Sequence, residues 1–184
     1  KNCYSFFMAH IALFGGSFNP PHLGHREVAQ WLCLKKEFDQ VWVLPSYSHP
    51  FAKQLISFEQ RLEMCHLNFD GLDKKIAICD IEGVLKNTPS YMIDTVNALK
   101  EKHSKYNFSL VVGSDLKGEM PKWKNWAELR NKIKLFSIPR AGFEEAPFMN
   151  ISSSKIRELI KVKGKWNQFV TNDVENYILK NHLY

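Results

Sequence analysis

GGSFNPPHLGH, residues Gly15 to His25, decides how this chain is read, because a glycine turn, a helix start and two histidines directly follow the first apolar strand. The run before it, Ile11, Ala12, Leu13 and Phe14, is short and continuously apolar, the pattern of a parallel strand buried on both faces. Gly15 and Gly16 let the backbone turn and bring main-chain N–H groups close to a ligand, while Pro20 and Pro21 suit the first turn of a helix rather than its interior. The first N–H groups of that helix lack intrahelical acceptors and carry the positive end of the macrodipole, so an anion there is stabilised by the backbone as well as by side chains. His22 and His25 share one face of its first turn, with Cβ atoms roughly 5–6 Å apart, and both can meet one polyphosphate. Gly24 between them leaves room for a substrate. A third metal ligand at suitable spacing is not evident nearby, so no metal is assigned to the histidine pair.

The 184 residues suit a single domain, 1–184, and 45% hydrophobic with 13% aromatic residues excludes a disordered chain. A net charge of +6 raises nucleic acid as a partner. The cations are dispersed among acids, however, the densest basic run, Lys161 to Lys165, is short, and a nucleotide site needs local positive potential anyway. No nucleic acid is therefore expected. No apolar stretch approaches the roughly 20 residues that span a bilayer, and nothing resembles a secretory signal, so no membrane association is expected either. Cys3, Cys33, Cys65 and Cys79 show neither CxxC pairing nor zinc spacing and read as reduced thiols of a cytoplasmic protein. Lys1 to Phe7 precede Met8, which would open directly onto the first strand, and read as a leader.

Strand and helix signals alternate from end to end, the pattern of an α/β domain with a mainly parallel sheet. Strands are expected at Ile11–Phe14, Val41–Leu44, Ile76–Ile81, Phe108–Val112 and Ile133–Ile138. The first helix is expected from His22 to about Phe38, with Val28, Ala29, Trp31 and Leu32 on its buried side. Ser57 and Gln60 form a capping box opening a helix to about Phe69. Ser90 is read as the cap of a helix to about Lys105, Asn125 with Glu128 as that of a short helix, Ser152 or Ser153 as that of a helix to Ile160, and Asn172 with Glu175 as that of the last. Arg61 reads as a surface residue of its helix and stays outside the site.

Two further segments carry candidate chemistry. ISSSKIR, Ile151 to Arg157, is a serine-capped helix start with free N–H groups for phosphate, and Arg157 one turn in offers a planar fork to a β- or γ-phosphate. On this segment alone, a capped amphipathic helix with a surface Arg explains it as well. VVGSDL puts Gly113 and Asp115 just beyond the fourth strand, where a carboxylate can accept from ribose hydroxyls, although a turn with an Asp cap reads equally.

GGSFNPPHLGH resembles the signature of the nucleotidyltransferase superfamily with an HxGH motif, and its GGSFNP form is similar to bacterial nicotinate mononucleotide adenylyltransferases. SFEQRLEMC (57–65), TPSYMIDT (88–95), VVGSDL (111–116), the Trp123 segment, ISSSKIRELI (151–160) and VENYILKNHLY (174–184) follow in that family's order over nearly the whole chain. The resemblance implies a Rossmann-like nucleotidyltransferase fold, with a mainly parallel five- or six-stranded sheet and helices on both faces. It implies adenylyl transfer from ATP to nicotinate mononucleotide, with Mg²⁺ bound mainly through the ATP phosphates and a homo-oligomer compatible with the pattern. It assigns His22, His25 and Arg157 to catalysis, and Gly15, Gly16, Ser17, Phe18, Gly113, Asp115, Ile151, Ser153 and Ser154 to ATP. It assigns Asn19, Lys53, Thr88 and Trp123 to the mononucleotide, with Trp126 a rival for stacking on the pyridine ring. The sequence departs from the family where the loop reads SHPFAK, without a histidine next to Lys53, at Met92 after Ser-Tyr, and in a short stretch from Arg140 to Asn150. The amide mononucleotide, phosphopantetheine, or a noncatalytic nucleotide- or RNA-binding role stand as the alternative readings.

Overall fold

The computed structural model describes residues 8–48, 55–140 and 145–184; the leader reading of Lys1–Phe7 lies outside them. Among the described residues five strands form one parallel sheet: β1 (His10–Gly16), β2 (Gln40–Pro45), β3 (Ile76–Ile78), β4 (Asn107–Gly113) and β5 (Lys134–Ile138), in the order β3-β2-β1-β4-β5. β1 is central, with Phe14 opposite Val43 on one side and Val111 on the other. Because side chains alternate across a strand, Ala12 and Phe14 pack on one face and Ile11 and Leu13 on the other, which explains the unbroken apolar run.

Helices cover both faces. α1 (Leu23–Cys33) and α2 (Phe58–Phe69) bring Ala29, Leu32, Cys65 and Phe69 against Ala12, Phe14, Val41 and Val43. The opposite face receives Ile93, Val96 and Leu99 of α4 (Met92–Lys102) and Leu129 of α5 (Trp126–Lys132). Leu13 is fully buried there, and truncating it to Ala would cost about 2–5 kcal/mol. A third cluster packs Met64 of α2 against Ile156 of α6 (Ser153–Lys161) and Val174 and Ile178 of α7 (Asn172–Lys180).

The local signals hold with shifted boundaries. Ser57 Oγ accepts from the Gln60 N–H at 3.1 Å and opens α2 where expected. α1 ends five residues before Phe38, because the bonds Leu34 N–H to Trp31 O and Lys35 N–H to Leu32 O tighten the last turn and return Phe38 to the core. β3 stops at Ile78, since Ile81 starts a short helix not anticipated from the pattern, α3 (Ile81–Leu85). Tyr91, not Ser90, caps α4, because Ser90 Oγ accepts from the Ser48 N–H at 3.1 Å and donates to Asn87 O at 3.1 Å. Ser152 caps α6 by accepting from the Lys155 N–H at 3.2 Å, and Thr171 rather than Asn172 caps α7. Among the described residues no helix is long and apolar enough to cross a membrane.

Candidate active site

Strand order reverses between β1 and β4, and in open parallel sheets the crevice outside the carboxyl ends at such a point receives ligands. Two cavities lie there, of about 450 Å³ and 430 Å³, and Gly15, Gly16 and Ser17 line both. The first holds His22, His25 and Arg157, the second Trp123. A more open groove of about 720 Å³ at the amino ends of β1, β4 and β5 shares none of these residues.

In the histidine cavity, His22 is the N-cap of α1 and its ring stacks on that of His25, with centroids 3.6 Å apart. The His22 backbone N–H donates to His25 Nδ1 at 3.2 Å, which puts the proton of neutral His25 on Nε2. Burial first, and the charge of Arg140 second, lower the pKa of His22 to about 3. Burial, then His22, then Arg140 hold His25 well below its usual value. Both imidazoles are therefore neutral at pH 7 without an anion, and only a bound anion would favour their protonated forms. His22 Nδ1 is buried without a partner. A Cβ at Gly24 would lie 3.2 Å from Met149 O and 3.3 Å from the His22 ring, so this glycine makes room for its own chain as well as for a ligand. Phe18, with φ of 46°, turns its ring into the core at 4.9 Å from the His25 ring. It braces the histidine from below.

The start of α6 closes the cavity from the other side. Arg157 Nη1 donates to Asn19 O at 2.7 Å and its Nη2 to Ser154 Oγ at 3.2 Å, while Ser153 Oγ donates to Pro20 O at 2.8 Å. Ile151, Ser153 and Ser154 thus stand with the histidines. Asn19 also lines this cavity rather than that of Trp123, and its Oδ1 accepts from the Tyr184 hydroxyl at 2.8 Å. The mononucleotide expectation for Asn19 meets a side chain already held elsewhere. Asp115 Oδ2 lies 4.0 Å from Arg140 Nε, and a Cβ at Gly113 would fall 2.2 Å from Asp115 Oδ1, so only glycine admits that carboxylate position.

Trp123 lines the second cavity with Tyr91, Met92 and Leu44, and Trp126 meets its ring edge-on at 6.2 Å instead of sharing the lining. That separates the two aromatic candidates. Thr88 is exposed and lines a small recess with Tyr47 and Ser48, away from Trp123, because the turn Asn87–Ser90 directs Ser90 rather than Thr88 inward. Lys53 and His49 lie outside the described residues.

The structure adds residues that the sequence reading missed. Arg61 is fully buried, not on the surface, and donates to four backbone carbonyls. Its position on the stripe Phe58, Arg61, Cys65, Asn68 at helical spacing is the signal that would have found it. Glu82 is buried and accepts from the Tyr47 N–H and from Thr95 Oγ1, each at 2.9 Å, and burial raises its pKa. Ser46 Oγ is buried without a partner in the lining of the tryptophan cavity. Arg140 follows the carboxyl end of β5, the edge where ligands collect, and adds a second cation to the histidine cavity. Among the described residues no group of three or more His, Cys, Asp or Glu is arranged to hold a metal ion.

A family model described as cytidylyltransferase-like matches residues 13–159. A protein of Anaeromyxobacter dehalogenans named probable nicotinate-nucleotide adenylyltransferase is 36% identical over 180 residues, covering 95% of this chain and 96% of that relative. A Bacillus licheniformis protein of the same name is 32% identical over 191 residues, covering 96% and 99%. Among solved structures, Plasmodium falciparum nicotinic acid mononucleotide adenylyltransferase complexed with NaAD aligns with a TM-score of 0.80 at 23% identity, covering 96% of this chain and 97% of that one, a likeness of fold.

Proposed function

Because the chain belongs to the cytidylyltransferase-like family, and within it to the nicotinate-nucleotide adenylyltransferases, we propose that its joined cavities condense ATP with nicotinate mononucleotide. The products are nicotinate adenine dinucleotide and pyrophosphate, a step of NAD biosynthesis. One observation carries this reading: a cavity with His22, His25 and Arg157 and a cavity with Trp123 open onto a common floor, Gly15 to Ser17. Two substrates bound side by side would meet there.

A phosphate oxygen of the mononucleotide attacks the α-phosphorus, a new P–O bond forms, and the bridging P–O bond to the β-phosphate breaks as pyrophosphate leaves. The nucleophile is already anionic, so no protein base is needed, and catalysis rests on positioning and charge. His22 and His25, the latter with Nε2–H as its donor, line the cavity that takes the triphosphate, whose charge counters Arg140 and favours imidazolium donors. Arg157, held by Asn19 O and Ser154 Oγ, spans the β- and γ-phosphates with its remaining donors, beside the free N–H groups at the starts of α1 and α6. Gly113 and Asp115 receive the ribose of ATP. Trp123 stacks on the pyridine ring, and the backbone of Ser90 to Met92 takes the part given to Thr88. Lys53 keeps its assignment to the mononucleotide phosphate from the family resemblance alone.

Asp115 is the one carboxylate among the described lining of the histidine cavity, a donor set that suits a magnesium ion carried on triphosphate oxygens. Mg²⁺ bound in this way would neutralise charge on the departing pyrophosphate.

The test is pyrophosphate release with ATP and Mg²⁺, comparing nicotinate mononucleotide, nicotinamide mononucleotide and phosphopantetheine. Preference for the acid form is expected. Preference for the amide would keep the chemistry and change the substrate, and turnover of phosphopantetheine would overturn the acceptor assignment. Folded protein that binds ATP and turns over none of the three would instead favour a noncatalytic role.

A further inference from the structure

Arg61 lines neither cavity, and the transfer chemistry makes no use of it. Yet a fully buried arginine is held on α2 with every nitrogen of its guanidinium bonded to a carbonyl. Nη1 donates to Ser17 O at 2.9 Å and to Ser46 O at 2.6 Å, Nη2 to Tyr47 O at 3.0 Å, and Nε to Ile56 O at 3.1 Å. These acceptors belong to three separate segments: the turn after β1, the loop after β2, and the approach to α2.

Two of the acceptor residues are part of the site. Ser17 belongs to the floor common to both cavities, and Ser46 lines the tryptophan cavity. The loop after β2 is also gripped from its other side with opposite polarity. Glu82 accepts from the Tyr47 N–H at 2.9 Å and Ser90 Oγ accepts from the Ser48 N–H at 3.1 Å. A buried cation thus holds the carbonyls of this loop while a buried carboxylate and a hydroxyl hold its N–H groups. A planar fork with five donors in fixed directions can join three segments at once; an ammonium, whose donors radiate from one point, cannot.

In-line displacement depends on the relative placement of two substrates, and an error near 1 Å can cost about a hundredfold in rate. We propose that Arg61 is a positioning residue for adenylyl transfer: by fixing the Ser17 and Ser46 carbonyls against one another, it aligns the floor of one cavity with the wall of the other. The inference rests on the reading under Proposed function. It assigns Arg61 an effect on kcat rather than on either substrate's KM, since it touches neither substrate.

The experiment compares wild type, Arg61→Lys and Arg61→Ala, measuring kcat and both KM values per folded molecule, with Arg61→Ala repeated in millimolar guanidinium. Expected are a kcat lower by roughly a hundredfold, KM values within about threefold of wild type, and partial recovery of Arg61→Ala by guanidinium. A lowered melting temperature with kcat unchanged would overturn the proposal in favour of a purely structural role. A large rise in one KM with kcat intact would overturn it in favour of a subsite role. If neither Arg61 variant folds, Glu82→Gln, which loosens the opposite grip, decides: a fall in kcat beyond any change in KM supports the proposal, and an unchanged kcat overturns it. Wild type inactive with every acceptor would instead sink the functional reading itself.

Discussion

Arg157 donates to the backbone carbonyl of Asn19 across 2.7 Å, tying the start of α6 to the turn after β1 over a separation of 138 residues. With Ser153 Oγ on Pro20 O, this bond joins the starts of α1 and α6 into one cavity wall, the one proposed to hold phosphate. The same guanidinium thus ties that wall together and lines the cavity.

Arg157→Lys should therefore lose more than charge. An ammonium cannot keep the Asn19 bond, the Ser154 bond and a phosphate contact in one plane. Expected is a loss in kcat/KM for ATP of roughly 10²–10³-fold, the range for removing one transition-state donor. Steady-state kinetics with ATP varied checks this, and a variant within threefold of wild type would discard the role.

His25→Ala should abolish measurable turnover while far-UV circular dichroism stays unchanged. The ring is half-buried and packs on Phe18 and His22, but it adds no bond to the sheet. Near-normal pyrophosphate release from this variant would remove His25 from the catalytic set.

The histidine pair also makes stability depend on pH. His22 has a folded pKa of about 3 against an ordinary value of 6.5, and His25 is lowered too, by burial first in each case. Below pH 6.5 the unfolded chain binds protons that the folded site refuses, so the contribution is present above 6.5 and is lost as pH falls towards the folded values. Stability therefore rises with pH through this window, and the two stacked rings contribute in the same direction. Urea unfolding between pH 7 and 5 measures it, and His22→Gln should flatten the curve; an equal slope in that variant would contradict the burial argument.

Trp123→Ala should raise the KM for the mononucleotide with little change in that for ATP, because Trp123 lines one cavity and not the other. Loss of a stacking platform is worth about 1–3 kcal/mol, or roughly 5- to 150-fold. Equal effects on both substrates would point to general packing.

Gly113→Ala should act on ATP through its neighbour. The added Cβ would fall 2.2 Å from Asp115 Oδ1 and force that carboxylate away from its place in the histidine cavity. A KM for ATP raised several-fold, with the mononucleotide KM unchanged, is the expected result of steady-state assays. Unchanged ATP kinetics would remove Asp115 from the nucleotide contacts.

Elements whose signals are local were legible in the chain. The apolar run of β1, the Ser57 cap of α2 and the Ser152 cap of α6 each depend on neighbours within a few positions, and each stands where the pattern puts it. α1 and β3 are shorter than the apolar pattern predicts because Phe38 and Ile81 are apolar for a reason the pattern does not distinguish. Phe38 returns to the core from a turn, and Ile81 does so from a helix. Arg61 departs from expectation for a related reason: its residue type points to the surface, whereas its helical spacing with Phe58, Cys65 and Asn68 points to burial.

By itself the sequence determined the α/β alternation, the strand-to-helix turn at Gly15 to His25 and the serine-capped helix start at Ile151 to Arg157, since glycine freedom, proline geometry and serine caps act over one turn of chain. Only the tertiary structure decided that these segments share one cavity, that Thr88 stands outside the second one while Trp123 stands inside it, and that Arg61 joins three segments beneath both. Those outcomes depend on which strands lie side by side and on desolvation at a distance. Short-range preferences fix neither, because a buried cation and its four carbonyls become neighbours only when the sheet and helices have packed.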